Sequence, residues 1–332
     1  MARILVGKNK TLRGLTARWP WFNEFFWGIE AGLFAAFLWV CGRLSPTGAS
    51  AFGRRLMSWA GPRQSKHKHV IRNLSLAFPE KSGDEIADIG ADVWGNMGAI
   101  FAEYAQLEAI CAQRLEIVVD PNIRTFKNPA EQQAVFVSAH FGNWELLAAA
   151  ISRRQVPITA VFTPIQNPRL DALLARQRQH LGCHLLPRDE SMRPLIRELA
   201  RGRSIGLVMD QRVDSGHPVE MFGIDKQTTL IPARLALRFG AELVACRSDR
   251  LEDGRFRITF YAPIVADDPS ADEVTQAVQM STKVNRMFEQ WIREAPADWF
   301  CTNRRWPKGA VAPGGLISGS SEQQANPHPD GS

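Results

Sequence analysis

One stretch constrains the fold more than any other: Ala134-Val135-Phe136-Val137-Ser138-Ala139, a short and nearly continuous apolar run. A strand reads this way when both of its faces are buried, as in the middle of a parallel sheet. The sequence around it repeats the theme. Strands are predicted at 115–119, 158–162, 204–209, 243–247 and 256–262, and helices at 144–153, 170–181, 192–201, 231–239 and 275–293. Strands alternating with helices imply an α/β fold with a mixed, largely parallel sheet flanked by helices. Upstream, residues 70–110 read as helical. Ile86, Ile89, Val93, Trp94 and Met97 recur at helical spacing, and Asp84 and Glu85 suit the first turn, where they complement the helix dipole.

The N-terminal part has a different texture. Residues 1–21 carry Arg3, Lys8, Lys10, Arg13 and Arg18 and no acid. Residues 25–41, FFWGIEAGLFAAFLWVC, hold only one charge, Glu30. A bilayer span needs about 20 apolar residues, and a carboxylate inside it costs a few kcal/mol unless it lies near the interface. The segment is therefore expected to attach the chain to a membrane, as a short span or as a helix lying in the interface. No small-x-small cleavage site makes it a signal peptide. Trp19 and Trp21 sit just before it and Trp27 at its start, where aromatic rings suit a bilayer interface. Arg43, Arg54, Arg55, Arg63, Lys66 and Lys68 follow, so basic residues flank both ends and leave the orientation open. His67 and His69, in RQSKHKH, read as a membrane-surface contact. The organisation expected is a basic segment and anchor over 1–45, one catalytic domain over 46–306, and a disordered Gly, Pro, Ser and Gln-rich tail over 307–332.

A mean hydropathy of −0.19 excludes a many-span membrane protein. The net charge of +6 is mild, and neither zinc-finger spacing nor an RNP-like aromatic run accompanies it, which argues against nucleic acid. The five cysteines, Cys41, Cys111, Cys183, Cys246 and Cys301, are odd in number and form no CxxC pair. That suits reduced thiols in a cytosolic compartment. His180 and His184 are four apart but flank Gly182 and lack an evident third ligand, so no metal is expected. Cys183, with a histidine nearby, reads as an inert thiol rather than a nucleophile.

The chemistry is expected at His140-Phe141-Gly142-Asn143-Trp144-Glu145. His140 directly follows the buried strand, and sites in open α/β sheets form outside the carboxyl ends of strands. On one continuous helix, a spacing of five residues would point two side chains some 140° apart. A strand end, a turn at Gly142 and a new helix remove that objection, so Glu145 is expected to reach back to the imidazole. An alcohol attacks a thioester slowly at neutral pH unless a base takes its proton, and histidine titrates near that pH. A carboxylate on the other ring nitrogen fixes the tautomer and stabilises the imidazolium. With the substrate's hydroxyl as nucleophile, no enzyme serine is needed. Helix N-terminal amides and a nearby cation are expected to hold the oxyanion.

HFGNWE after a short apolar strand resembles the His-x4-Asp/Glu motif of the lysophospholipid acyltransferase superfamily. More narrowly, it is similar to the late acyltransferases of lipid A biosynthesis, the lauroyl and myristoyl transferases. The likeness runs from about residue 25 to 308. It includes Asn73-Leu74 through Phe78-Pro79, Asn167-Pro168 with Asp171 and Arg178, Gly206 through Asp210-Gln211, and Phe222-Gly223 with Thr228-Thr229, Pro232, Ala236 and Gly240. It closes on Trp299 and Asn303-Arg304-Arg305-Trp306, with Asn303 where the family usually has His. The resemblance implies a glycerol-3-phosphate acyltransferase-like fold and no cofactor. It implies an acyl carrier protein thioester as donor and a lipid A precursor as acceptor, at the cytoplasmic face of the inner membrane. His140 and Glu145 would be catalytic. Arg178, or Arg176 if the register shifts, would hold a phosphate or the oxyanion, with Asp210, Asn143 and Gly142 completing the substrate-binding set; Asp210, at a strand end, would orient a base or an arginine, or simply cap a turn. The basic residues Arg169, Arg176, Arg178, Arg188 and Arg193 would suit an acidic carrier protein or a phosphorylated glycolipid. Phosphatidylinositol mannoside acyltransferases share the Phe-Gly-Asn-Trp spelling, so another acceptor such as a mannosylated or ornithine lipid stays open. So does a non-catalytic lipid-binding protein of the same fold.

Overall fold

The computed structural model describes residues 20–188 and 192–313. The basic stretch with Trp19, and residues 314–332 of the expected tail, lie outside the described residues.

Nine strands are described: β1 (Leu115–Val119), β2 (Ala134–Ser138), β3 (Ile158–Phe162), β4 (His184–Pro187), β5 (Ser204–Val208), β6 (His217–Met221), β7 (Ile224–Thr228), β8 (Glu242–Arg250) and β9 (Phe256–Phe260). Seven build one sheet in the order β1-β9-β8-β2-β5-β3-β4, while β6 and β7 form a separate antiparallel hairpin. Every neighbour in the large sheet is parallel except β8 with β9. The sheet is therefore mixed and largely parallel, as the alternating pattern implied.

β2 lies at its centre, and all five of its residues are buried. Alternate side chains serve opposite faces. Val135 and Val137 enter one core, with Leu74, Val93, Ala236 and Phe288. Ala134 and Phe136 enter the other, with Ile110, Leu146, Ile151 and Leu174. The first layer is built by α3 (His67–Ala77), α4 (Gly83–Glu103), α8 (Arg193–Ala200), α9 (Ile231–Phe239) and α10 (Glu273–Glu294). The second is built by α5 (Leu107–Gln113), α6 (Leu146–Arg153) and α7 (Pro168–Arg178). The expected helical stretch 70–110 thus divides among α3, α4 and α5. Ser82 and Glu85 close a capping box that starts α4.

Two helices precede these: α1 (Pro20–Cys41) and α2 (Pro46–Ala60). Residues Asn23–Cys41 of α1 have a mean hydropathy of 1.4, long and apolar enough to cross a membrane. Phe25, Leu33 and Trp39 are exposed. Glu30 faces the protein instead, only 8% exposed, and accepts a hydrogen bond from Asn167 Nδ2 at 3.0 Å. Its place in an apolar helix is explained by that inward partner. Asn167 also caps α7 through the amides of Arg169 and Leu170, so α1 and α7 share a joint.

α2 was not evident in the sequence, because its glycines and serines disguise it. The small residues allow close approach to α4: a Cβ on Gly53 would lie 2.2 Å from the Gly98 carbonyl oxygen. That contact turns Phe52, Leu56 and Trp59 outward as one exposed stripe, and Phe37 of α1 stacks on Phe52 at 6.0 Å. Residues 307–313 follow the domain closely, with the Arg72 guanidinium hydrogen-bonded to the Lys308 and Ala310 carbonyls.

Candidate active site

β2 and β5 are parallel neighbours, with Ser138 paired to Val208. Two residues further along each strand the chain reaches His140 and Asp210, so the register alone delivers them side by side. His140 Nδ1 lies 2.6 Å from Asp210 Oδ1. The turn after His140 is pinned from the other side. Phe141 forms an antiparallel bridge with Trp299, the Gly142 amide donates to the Asp298 carbonyl at 3.0 Å, and the Phe300 amide donates to the His140 carbonyl at 2.8 Å. Gly142 has φ +54°, and a Cβ there would lie 2.0 Å from the Ser248 carbonyl oxygen, so conformation and space both require glycine. The Trp144 ring meets the His140 ring edge-on at 5.1 Å and stacks on Phe300.

Asp210 is fully buried and satisfied on every side. Its Oδ2 accepts from Arg305 Nη2 at 2.6 Å, Arg305 Nε at 3.1 Å and Trp299 Nε1 at 3.0 Å. Burial pushes its carboxyl upward, but the Arg305 guanidinium and the His140 imidazole outweigh that and hold it well below the ordinary carboxylate range. Asp210 is thus an anion. It draws the Nδ1 proton of His140 toward itself and leaves the Nε2 lone pair as the acceptor. The side-chain nitrogen of Gln211 lies 3.4 Å from Nε2.

The expectation that Glu145 orients His140 is therefore corrected. Glu145 precedes the first residue of α6 and faces the last turn of α7, where Arg178 takes both of its oxygens, Nε to Oε2 at 2.9 Å and Nη2 to Oε1 at 2.7 Å. The carboxylate on the ring is Asp210. Arg178 is packed between the Tyr104 and Phe162 rings, 5.8 and 5.6 Å from their centroids. Burial raises the Tyr104 hydroxyl well above its ordinary value, and the Glu145 charge adds to that.

The remaining expected residues separate cleanly. Arg176, two residues before Arg178 and so on another side of α7, is exposed. Asn143 is buried, and its Nδ2 donates to Glu103 Oε2 at 2.8 Å. Glu103 in turn pairs with Arg250 and accepts from Ser50 Oγ of α2 at 2.8 Å. Asn143 therefore ties the turn to α4, with its amide nitrogen engaged. Arg169 pairs with Glu24 of α1, while Arg188 and Arg193 are exposed. His180 and His184 do not share a helix: His184 opens β4, 3.3 Å from Glu198, and His180 lies 4.0 Å from Glu108. Burial pushes the Cys183 thiol up to about 11, which keeps it protonated and unreactive.

In the sequence, Arg305 and Trp299 stand only as letters of a closing motif. Neither could be placed on Asp210 without knowing that the segment folds back across β2 and β5.

The largely parallel sheet thus presents a carboxylate-backed histidine at the end of its central strand, in a chain that also carries one exposed apolar helix. Residues 26–308 match the family described as bacterial lipid A biosynthesis acyltransferase, and the chain belongs to that family. It is similar to a lipid A biosynthesis acyltransferase of Haemophilus influenzae, 21% identical over 295 residues that span 85% of this chain and 88% of the relative. The chain is an acyltransferase, moving groups other than aminoacyl groups.

Proposed function

We propose that this protein transfers a fatty acyl chain from an acyl carrier protein thioester to a hydroxyl of a lipid A precursor, with His140 as general base. The observation that carries the reading is the 2.6 Å contact of His140 Nδ1 with the buried Asp210 carboxylate, which leaves Nε2 basic. The acceptor hydroxyl gives its proton to Nε2 as its oxygen bonds to the thioester carbonyl carbon. The tetrahedral adduct then expels the thiolate, and His140 returns the proton to sulfur. Asp210 stabilises the imidazolium between those steps.

Glu145 remains part of the site in this reading, through Arg178. Two parallel charge-assisted bonds fix the guanidinium plane. A cation so fixed suits the oxyanion or a phosphate of the acceptor. Gly142 and Asp210 shape the pocket from the backbone and from behind, respectively. The enzyme works at the cytoplasmic face of the inner membrane. The apolar surface of α1 and the Phe52, Leu56 and Trp59 stripe of α2 support attachment to a membrane.

The test is acyl transfer by membranes or purified enzyme supplied with acyl carrier protein thioester and acceptor. Loss of product with His140→Ala is expected, and wild-type rates in that variant would sink the mechanism. Mass spectrometry of lipids from a deletion strain identifies the acceptor. Lipid A lighter by one acyl chain is expected, whereas an intact lipid A with an altered mannosylated or ornithine lipid would move the acceptor to that class.

A further inference from the structure

Behind Asp210 lies a charged group that the acyl-transfer mechanism above does not use. Lys226 is on β7, whose buried residues alternate: Ile224, Lys226 and Thr228 face inward while Asp225 is exposed. An inward position in a hairpin ordinarily takes an apolar residue. Lys226 is instead fully buried, and its Nζ donates to the backbone carbonyl of Asp210 at 3.1 Å. Its ammonium therefore stands behind the residue that holds His140 Nδ1 on one oxygen and Arg305 on the other.

The groups around this lysine come from four directions. Asp210, after β5, supplies one negative charge, and Arg305 supplies one positive charge from the closing segment. From α10, neutral Asn285 reaches the next inward residue of the strand, donating to Thr228 Oγ1 at 3.4 Å and to the Glu220 carbonyl. Cys301, whose thiol burial pushes up to about 12, is neutral, and Lys66 senses Arg305 from the start of α3. Among Asp210, Arg305 and Lys226, with Arg305 already balancing Asp210, a charged Lys226 is one positive charge in excess, and Lys66 beyond Arg305 adds to it. Protonating His140 would add a second in a site shielded from water.

We propose that Lys226 is a positioning residue whose charge, acting through Asp210, weakens the hold of His140 on a proton. This rests on His140 being the base. The consequence suits acyl transfer: an imidazolium held less firmly hands its proton more readily to the departing thiolate. Lysine adds a condition that a fixed cation would not. Burial lowers its ammonium to about 7, against the pull of Asp210 and with help from Arg305. The extra charge is present below that pH and fades above it.

The experiment uses the full-length enzyme in detergent or nanodiscs, with labelled histidine. NMR follows the titration of His140, assigned by its absence in His140→Ala, in the wild type and in Lys226→Met, which keeps the length and removes the charge. The His140 midpoint is expected to rise by about one pH unit in Lys226→Met. The acid limb of kcat/KM should move with it, and the two rate profiles should converge above about pH 8, where Lys226 is neutral in the wild type. An unmoved midpoint, with kcat/KM lowered equally at every pH, overturns the proposal and leaves Lys226 a packing residue. A midpoint that moves while the acid limb stays supports the coupling and overturns His140 as the base. If Lys226→Met does not fold, Lys226→Arg keeps a charge at every pH. Its midpoint should stay at or below that of the wild type, and a rise there overturns the proposal.

Discussion

Arg178 and Glu145 form a two-bond ion pair that joins the last turn of α7 to the start of α6. The pair is largely enclosed, with the two side chains 12% and 14% exposed, so each partner depends on the other. Glu145→Gln and Arg178→Ala should each lower kcat/KM about 10- to 100-fold by loosening the pocket. The double variant should be little worse than either single one, because the two act as a unit. Steady-state kinetics of the four proteins decide it, and additive losses would mean independent roles.

Asp210→Asn should be more severe than Glu145→Gln. The amide cannot fix the Nδ1–H tautomer, and the rate should fall by about 10³- to 10⁴-fold, as when a triad aspartate is lost. It also strands the buried Arg305, which should cost about 3–5 kcal/mol of stability. Chemical denaturation beside a kcat measurement separates the two effects. If Glu145→Gln lowered the rate more than Asp210→Asn, the assignment of the orienting carboxylate would be reversed.

Acid should unfold the protein partly through Asp210. A carboxyl held well below its ordinary range gives stability that is fully present above the unfolded-state pKa of about 3.9 and is lost as pH falls toward the folded value. Asp210→Asn lacks this dependence. The gap in Tm between wild type and Asp210→Asn should therefore narrow below about pH 4. A constant gap from pH 6 to 3 would mean that Asp210 is not anionic in the folded state.

The outward stripe of α2 should hold the enzyme on lipid. Replacing Phe52, Leu56 and Trp59 together with serine removes exposed apolar surface while leaving the Gly53–Gly98 contact alone. Binding to anionic vesicles in a flotation assay should fall at least about tenfold, since burying each such side chain is worth about 1.5–3 kcal/mol. Unchanged flotation would leave α1 as the sole attachment.

The site was legible in the sequence wherever one segment sufficed. The run ending at Ala139 announces a buried strand, and a polar residue at its end announces His140. The partner of His140 was half legible: Asp210 stood out as a strand-end carboxylate suited to orienting a base or an arginine, but α6, β3, α7, β4 and α8 intervene in sequence before β5 comes to lie beside β2. Proximity along the chain favoured Glu145, but strand register favoured Asp210. Arg305 and Lys226 were hidden for another reason. Periodicity assigns charged residues to the surface, and these two are buried because their charges serve Asp210. The β6–β7 hairpin escaped notice for the same cause, since Lys226 occupies an inward position.

Asp210 receives Trp299 and Arg305 from a segment that the ribosome makes long after the apolar helix and His140. The Arg305 backbone is itself docked by Asn73, whose Oδ1 accepts the Arg305 amide at 3.0 Å while its Nδ2 grips the carbonyls of Cys301 and Asn303. The chain therefore carries its apolar helix and its histidine well before the two residues that brace the carboxylate beside that histidine.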